Sequence, residues 1–136
     1  MIKLVYGPKG FGKTKIIIDD VNAVAKTAKG NVVFITDKKM DTVSIDINVR
    51  IVNTEEYGIN SANAFEGFVK GLIAGNSDIE YVFIDGIARI TGSGLNDLEH
   101  FFADVKKLSD GHGVNYEFTI SALKGDLPQY LIAYLG

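Results

Sequence analysis

The chain has 136 residues, no cysteine and a net charge of −3, with 46% hydrophobic and 23% charged residues. That length suits one domain with a real core, and the missing cysteines exclude a disulfide framework or a thiolate metal site. No apolar run nears the roughly 20 residues that cross a bilayer, and the start lacks the pattern of a secretory leader. The expectation is therefore a cytoplasmic globular protein without membrane insertion, whose slightly negative charge argues against a strongly basic nucleic-acid surface but leaves room for a local one.

In chain order, IKLVY at 2–6 reads as a short strand. A helix is expected over 13–28, with Ile16, Ile17, Val21, Val24, Ala25 and Ala28 able to face a core. Gly30 suits the left-handed position past its end. NVVFIT, 31–36, is a continuous β-branched and aromatic run, the pattern of a strand buried on both faces. VSIDINVRI, 43–51, instead alternates strictly, which predicts one edge strand or a hairpin turning near Asp46–Asn48.

Ser61 is placed to cap a helix over 62–74 with Phe65, Phe68, Val69 and Leu72 on one stripe. GNSD, 75–78, is a turn, and YVFID, 81–85, is a buried strand ending in one acid. Ser93 is the expected cap of a helix carrying Leu95, Leu98, Phe102, Val105 and Leu108, broken at DGHG, 110–113. NYEFTISAL, 115–123, is a further strand, and the tail LPQYLIAYL fits either a helix or a strand. Strands alternating with helices predict an α/β fold: a three-layer α/β/α sandwich around a mostly parallel sheet, as one minimal domain over 1–136.

Between the first strand and the first helix lies GPKGFGKT, Gly7–Thr14. It matches G-x-x-x-x-G-K-[ST], a loop whose backbone N–H groups cradle phosphates. Glycines permit the curl, and a Cβ at Gly10 or Gly12 is expected to obstruct it. Lys13 is the mobile charge for the β- and γ-phosphates and the Thr14 hydroxyl a Mg²⁺ ligand. Asp85, ending YVFID, is the acid that would hold Mg²⁺ through water.

With those segments in that order, the chain resembles the P-loop NTPase superfamily, and the alternating architecture extends the likeness over most of the sequence. The resemblance implies ATP or GTP with Mg²⁺, phosphates against Gly7, Pro8, Lys9, Gly10, Phe11, Gly12, Lys13 and Thr14, and metal at Thr14 and Asp85. By analogy with the RecA-like and AAA-type branch, Ser121 or Thr119 would sense the γ-phosphate. The GP-x-G-x-GKT loop also looks like those of secretion and twitching-motility motors, which are much longer chains. Thymidine-kinase-type enzymes open similarly, but the cysteines of their zinc lobe are missing here.

Departures from that pattern matter as much. Hydrolytic RecA-like enzymes usually follow the magnesium acid with a water-polarising Glu, and here the residue is Gly86. Glu55 and Glu56, in a loop before Gly58, are candidates to replace it, against the simpler reading of a solvated pair. Arg89 is the candidate cation for the transition state, in this subunit or in a neighbour, against the simpler reading of a surface role. Arg50 reads as solvated, and Lys38 and Lys39 as loop lysines placed to meet a phosphate. His100 and His112 show no metal spacing and no obvious carboxylate partner, and His112 reads as a turn residue. Three functions follow: a slow ATPase needing a protein partner or homo-oligomer, a nucleotide-binding switch without useful hydrolysis, and a small nucleotide or metabolite kinase.

Overall fold

The computed structural model describes residues 1–40 and 42–135. Five strands form one sheet: β1 (Ile2–Gly7), β2 (Asn31–Thr36), β3 (Val49–Asn53), β4 (Ile79–Asp85) and β5 (Asn115–Ser121), in the order β1-β5-β4-β2-β3. Every pairing is parallel. Parallel neighbours need crossovers: α1 (Lys13–Ala25) links β1 to β2, α2 (Ala62–Gly75) links β3 to β4, and α3 (Ile87–Thr91) with α4 (Glu99–His112) links β4 to β5, while the β2–β3 link carries a 3₁₀ turn and a short helix α5 (Gln129–Ile132) follows β5. No helix is long and apolar enough to cross a membrane.

The layers follow from the pleat, because successive side chains leave a strand on opposite faces. Val32, Phe34 and Phe83 meet Ile17 and Val21 of α1 on one face. Val33, Ile35, Val82, Ile84 and Phe118 meet Phe65 and Val69 of α2, Ile87 and Ile90 of α3, and Phe102 and Val105 of α4 on the other. Covered on both sides, β2 and β4 have to be apolar throughout, which is why NVVFIT and YVFID carry no alternation. The result is the expected three-layer α/β/α arrangement.

Several local expectations change. The first helix ends at Ala25 rather than 28, and Ile16 is 38% exposed. Gly30 is not left-handed; a Cβ there would lie 2.4 Å from the Asp78 carbonyl, so close packing selects the glycine.

The segment 43–48 is neither strand nor hairpin. It opens as a 3₁₀ turn, Thr42–Ser44, and only β3, at the sheet edge, is strand. Asn22 of α1 donates to the Ser44 carbonyl and accepts from the Asp46 N–H, both at 2.8 Å, while Asp46 Oδ1 accepts from the Asn48 N–H. These side-chain bonds replace a ladder, leaving Val43 and Ile47 89% and 95% exposed.

Ser61 caps α2 as expected, accepting from the Ala64 N–H at 3.1 Å. Ser93 caps nothing: it bonds Thr91, and α4 begins after Leu98 without a side-chain cap. The short α3 was not expected. α4 does end within DGHG, running to His112 and closing on left-handed Gly113. The tail is helical and docks through buried Leu127 and Leu131, with the Tyr130 hydroxyl donating to the Leu95 carbonyl.

Candidate functional site

The registers align the carboxyl ends of four strands. Gly7 pairs with Ser121, Val5 with Thr119, and Thr36 with Asp85. Over them opens a cleft of about 570 Å³. Its charged walls are Lys9, Lys13, Lys38 and Arg89 against one carboxylate, Asp85, with hydroxyls from Thr14, Thr119 and Ser121. Four cations facing one acid make the cleft suited to an anion.

The glycine-rich loop forms one wall. Gly10 and Gly12 have φ of +86° and +87°, in the left-handed region. A Cβ at either position would meet nothing within 4 Å, so these glycines are required by backbone conformation and not by crowding. Gly7 differs, since a Cβ there would lie 2.8 Å from the Phe11 ring. Phe11 itself is exposed and does not line the cleft. Gly12 starts α1 without a side-chain cap, and no acid sits in the first turn. The first N–H groups of α1 therefore lack intrahelical partners at the positive end of the helix dipole. Lys13, the first helical residue, is buried and donates to the Gly7 and Pro8 carbonyls at 3.1 and 2.9 Å. Burial holds its ammonium below the usual lysine range; Asp85 opposes this, and Arg89 and Lys38 add to it.

Thr14 and Asp85 meet across 71 residues of sequence: the hydroxyl donates to Oδ2 at 3.1 Å. The other oxygen, Oδ1, accepts from Thr119 at 2.6 Å, and the Thr119 oxygen accepts from the Gly86 N–H at 2.8 Å. Thr119 borders the cleft, but it is buried and its hydroxyl is spent on fixing the carboxylate. Of the two sensor candidates only Ser121 is exposed at the cleft. A hydroxyl beside a carboxylate is a hard oxygen donor pair of the kind that suits Mg²⁺.

Gly86 has φ +91°, and a Cβ there would fall 2.1 Å from Arg89 Nη2. A side chain at 86 would sit on strained left-handed backbone and would have to displace the Arg89 guanidinium from its place beside it. Arg89 grips Asp37 with Nε at 3.2 and 3.3 Å and Nη2 at 3.0 Å. Asp37 is a residue that the sequence reading missed; it directly follows NVVFIT, as Asp85 ends YVFID. Glu55 lies in a neighbouring cavity beyond Arg89, and Glu56 lines neither space. Lys38 reaches the cleft and Lys39 does not line it.

His100 also departs from expectation. Its Nε2 is 3.3 Å from Asp104 and 3.7 Å from Glu66, the three forming a cluster on α2 and α4, remote from the loop. Lys70 bridges the same two carboxylates at 2.8 and 3.2 Å. A third cluster joins Lys3, Asp20 and Glu117 on the α1 side of the sheet. Glu117 is 7% exposed and its Oε2 has no hydrogen-bond partner among the described residues. Burial, reinforced by Asp20, pushes its carboxyl up to about 8.

No protein-family model matches the chain, and no curated protein matches it.

Proposed function

We propose that the chain is a Mg²⁺-dependent nucleoside triphosphate-binding protein of the P-loop NTPase superfamily, on its RecA-like or AAA-type branch, and a slow ATPase that works through a partner or oligomer. The observation that carries the reading is the meeting of Lys13, Thr14 and Asp85 at one end of the sheet. Residues far apart in sequence converge where the motif chemistry requires an ammonium, a hydroxyl and a carboxylate. Strand order adds support, because β5 lies between the loop's strand and the Asp85 strand and brings Thr119 and Ser121 to both. In this reading Mg²⁺ would sit at Thr14 and Asp85 and screen phosphate charge. The chain's own residues supply the uncapped α1 terminus, Lys13 and Lys38 for the anion, and the Thr119 clamp for the acid.

Slow turnover follows from Gly86. Gly86 offers no side chain to polarise water, and Arg89 is tied to Asp37. The same observations favour the second reading, a switch that holds nucleotide without useful hydrolysis. Equilibrium binding of ATP and of GTP with Mg²⁺, comparing wild type with Lys13→Ala, tests the common part. Loss of the ammonium is expected to weaken binding about 10- to 100-fold, the worth of a hydrogen bond to a charged group. If neither nucleotide binds wild type, the proposal falls. Turnover per molecule that rises with protein concentration distinguishes the self-activated ATPase from the switch.

A further inference from the structure

β3 is the last strand on its side of the sheet, so its outer edge has no neighbouring strand. Such edges are ordinarily guarded by Lys, Pro or a bulge, and VSIDINVRIVN, 43–53, holds neither Lys nor Pro. Beside the edge lies a groove of about 410 Å³, lined by Ile45, Asp46, Ile47, Val49 and Ile51 among others. Ile47 is almost wholly exposed. Arg50 is exposed and has no hydrogen-bond or ion-pair partner among the described residues. The Asp46 carboxylate meets only the Asn48 N–H. An apolar row, a cation without an anion and an anion without a cation therefore lie together on an open edge.

The alternation of 43–51 survives the turn that interrupts it. Ile45, Val49 and Ile51 already face one core, the one shared with α1. Drawing 45–48 out into a strand therefore moves none of them to the wrong face. The ties that hold the turn are few: Asn22 bonds the Ser44 carbonyl and the Asp46 N–H, and the Val49 N–H bonds the Asp46 carbonyl. A ladder would replace these bonds, and a ladder needs a partner strand.

We propose that the partner is a second copy of this chain, paired antiparallel about a two-fold axis at Asn48, so that β3 of each copy templates residues 44–47 of the other. The charges select both the partner and the register. Residues directly opposite in an antiparallel pair lie on one face and interact. With Asn48 on the axis, Asp46 of each copy stands opposite Arg50 of the other, while Ile45 meets Ile51 and Ile47 meets Val49. An axis at Asp46 or at Arg50 sets like charges face to face. An axis at Ile47, Val49 or Ile51 pairs neither charge. A patch that is self-complementary under a two-fold rotation is what an isologous dimer requires. The two sheets then join into one continuous sheet. The pairing uses no residue of the loop cleft and is independent of the nucleotide reading.

The test is sedimentation velocity of the full chain, without nucleotide, from micromolar to millimolar concentration. Wild type is expected to pass from monomer to dimer over that range, with hydrogen exchange at the amides of 45–48 slowing as the dimer forms. Arg50→Glu and Asp46→Arg each set like charges opposite, twice per dimer. Each is expected to weaken dimerisation at least about tenfold, and the double variant to restore it to near the wild-type value. Monomer Tm is expected to stay near wild type in all three, which separates lost pairing from lost folding. Asn22→Ala removes two ties on the turn and is expected to tighten the dimer severalfold. If wild type and Asn22→Ala both stay monomeric, the proposal is overturned. A dimer indifferent to either single reversal, or losses that the double variant does not repair, overturns it equally. Mg-ATP binding is scored separately, so a chain that dimerises in this way and binds no nucleotide keeps the pairing and ends the nucleotide reading.

Discussion

Replacing Glu117 by Gln is expected to remove most of the pH dependence of stability between pH 5 and 9. The carboxyl sits on β5, facing α1, with Asp20 and Lys3 as its charged neighbours. Its folded-state pKa is pushed from 4.5 up to about 8. A carboxyl shifted in this direction contributes stability that is fully present below its unfolded value and is lost as pH rises through the folded one. Between those limits the folded protein keeps a proton that the unfolded chain has released. Each pH unit is worth ~1.4 kcal/mol, so the window has a ceiling of about 5 kcal/mol, which structural relaxation and water entry reduce. Asp20 acts in a different window. Burial opposes its charge, but bonds from Glu117 and Lys3 hold its carboxyl below the usual value, so its stabilisation is lost only as pH falls below the ordinary carboxylate range. Gln keeps the shape and an N–H donor towards Asp20, and it does not titrate. Thermal unfolding across the range is the assay. At about 3–5 °C per kcal/mol for a chain of this size, wild type is expected to lose roughly 10 °C between pH 5 and 9, and Glu117→Gln much less. Parallel Tm curves for the two proteins would refute the assignment.

Other substitutions probe the cleft. Gly86→Ala places a Cβ on a left-handed backbone and against Arg89; it is expected to cost at least about 1–2 kcal/mol, read as a lower Tm, and an unchanged Tm would contradict the turn. Thr119→Val leaves the Gly86 N–H and Asp85 Oδ1 unpaired, with an expected loss of about 2 kcal/mol and weaker Mg-nucleotide binding, both restored by Thr119→Ser. Asp37→Asn removes the charge that holds Arg89. It is expected to raise nucleotide affinity severalfold by equilibrium binding, with the gain abolished in the double variant with Arg89→Ala; an affinity equal to wild type would mean that Asp37 does not restrain the arginine.

The parts of the site that were legible in the sequence are those whose chemistry is local. GPKGFGKT announces itself because the glycines, the lysine and the threonine must be neighbours, and YVFID because both faces of its strand are covered. Asp37 was not legible as a partner of Arg89, since 52 residues separate them and only the packing of β2 beside β4 joins the two ends. Alternation was read in the wrong place. In 43–48 it is real but unused, because Asn22 ties the backbone into a turn, and only 49–51 put it to use, in the edge strand β3. In 115–121 it was passed over, although Glu117, Thr119 and Ser121 fall on every second position, facing α1 and the cleft, while Tyr116, Phe118 and Ile120 enter the opposite core. A polar row along a strand covered on both sides was the available sign of the buried carboxyl and of the clamp. The His100 cluster needed α2 beside α4 to appear, though the i, i+4 spacing to Asp104 was present in the sequence.

Lys13 carries a thermodynamic consequence of its own. Its ammonium already bonds two carbonyls of the loop that it belongs to. An arriving anion therefore does not find a bare charge; it takes the ammonium by exchange, releasing Gly7 and Pro8 oxygens as it does so. Affinity at such a latch is a difference between two sets of bonds, and the conformational entropy of shaping the loop is already spent in folding. Binding should then be modest in enthalpy, with little further ordering of the chain, and the latch's breaking should set a floor under the association barrier. Deleting Lys13 would relax the loop as well as discharge it, so the measured loss contains a mechanical share alongside the electrostatic one.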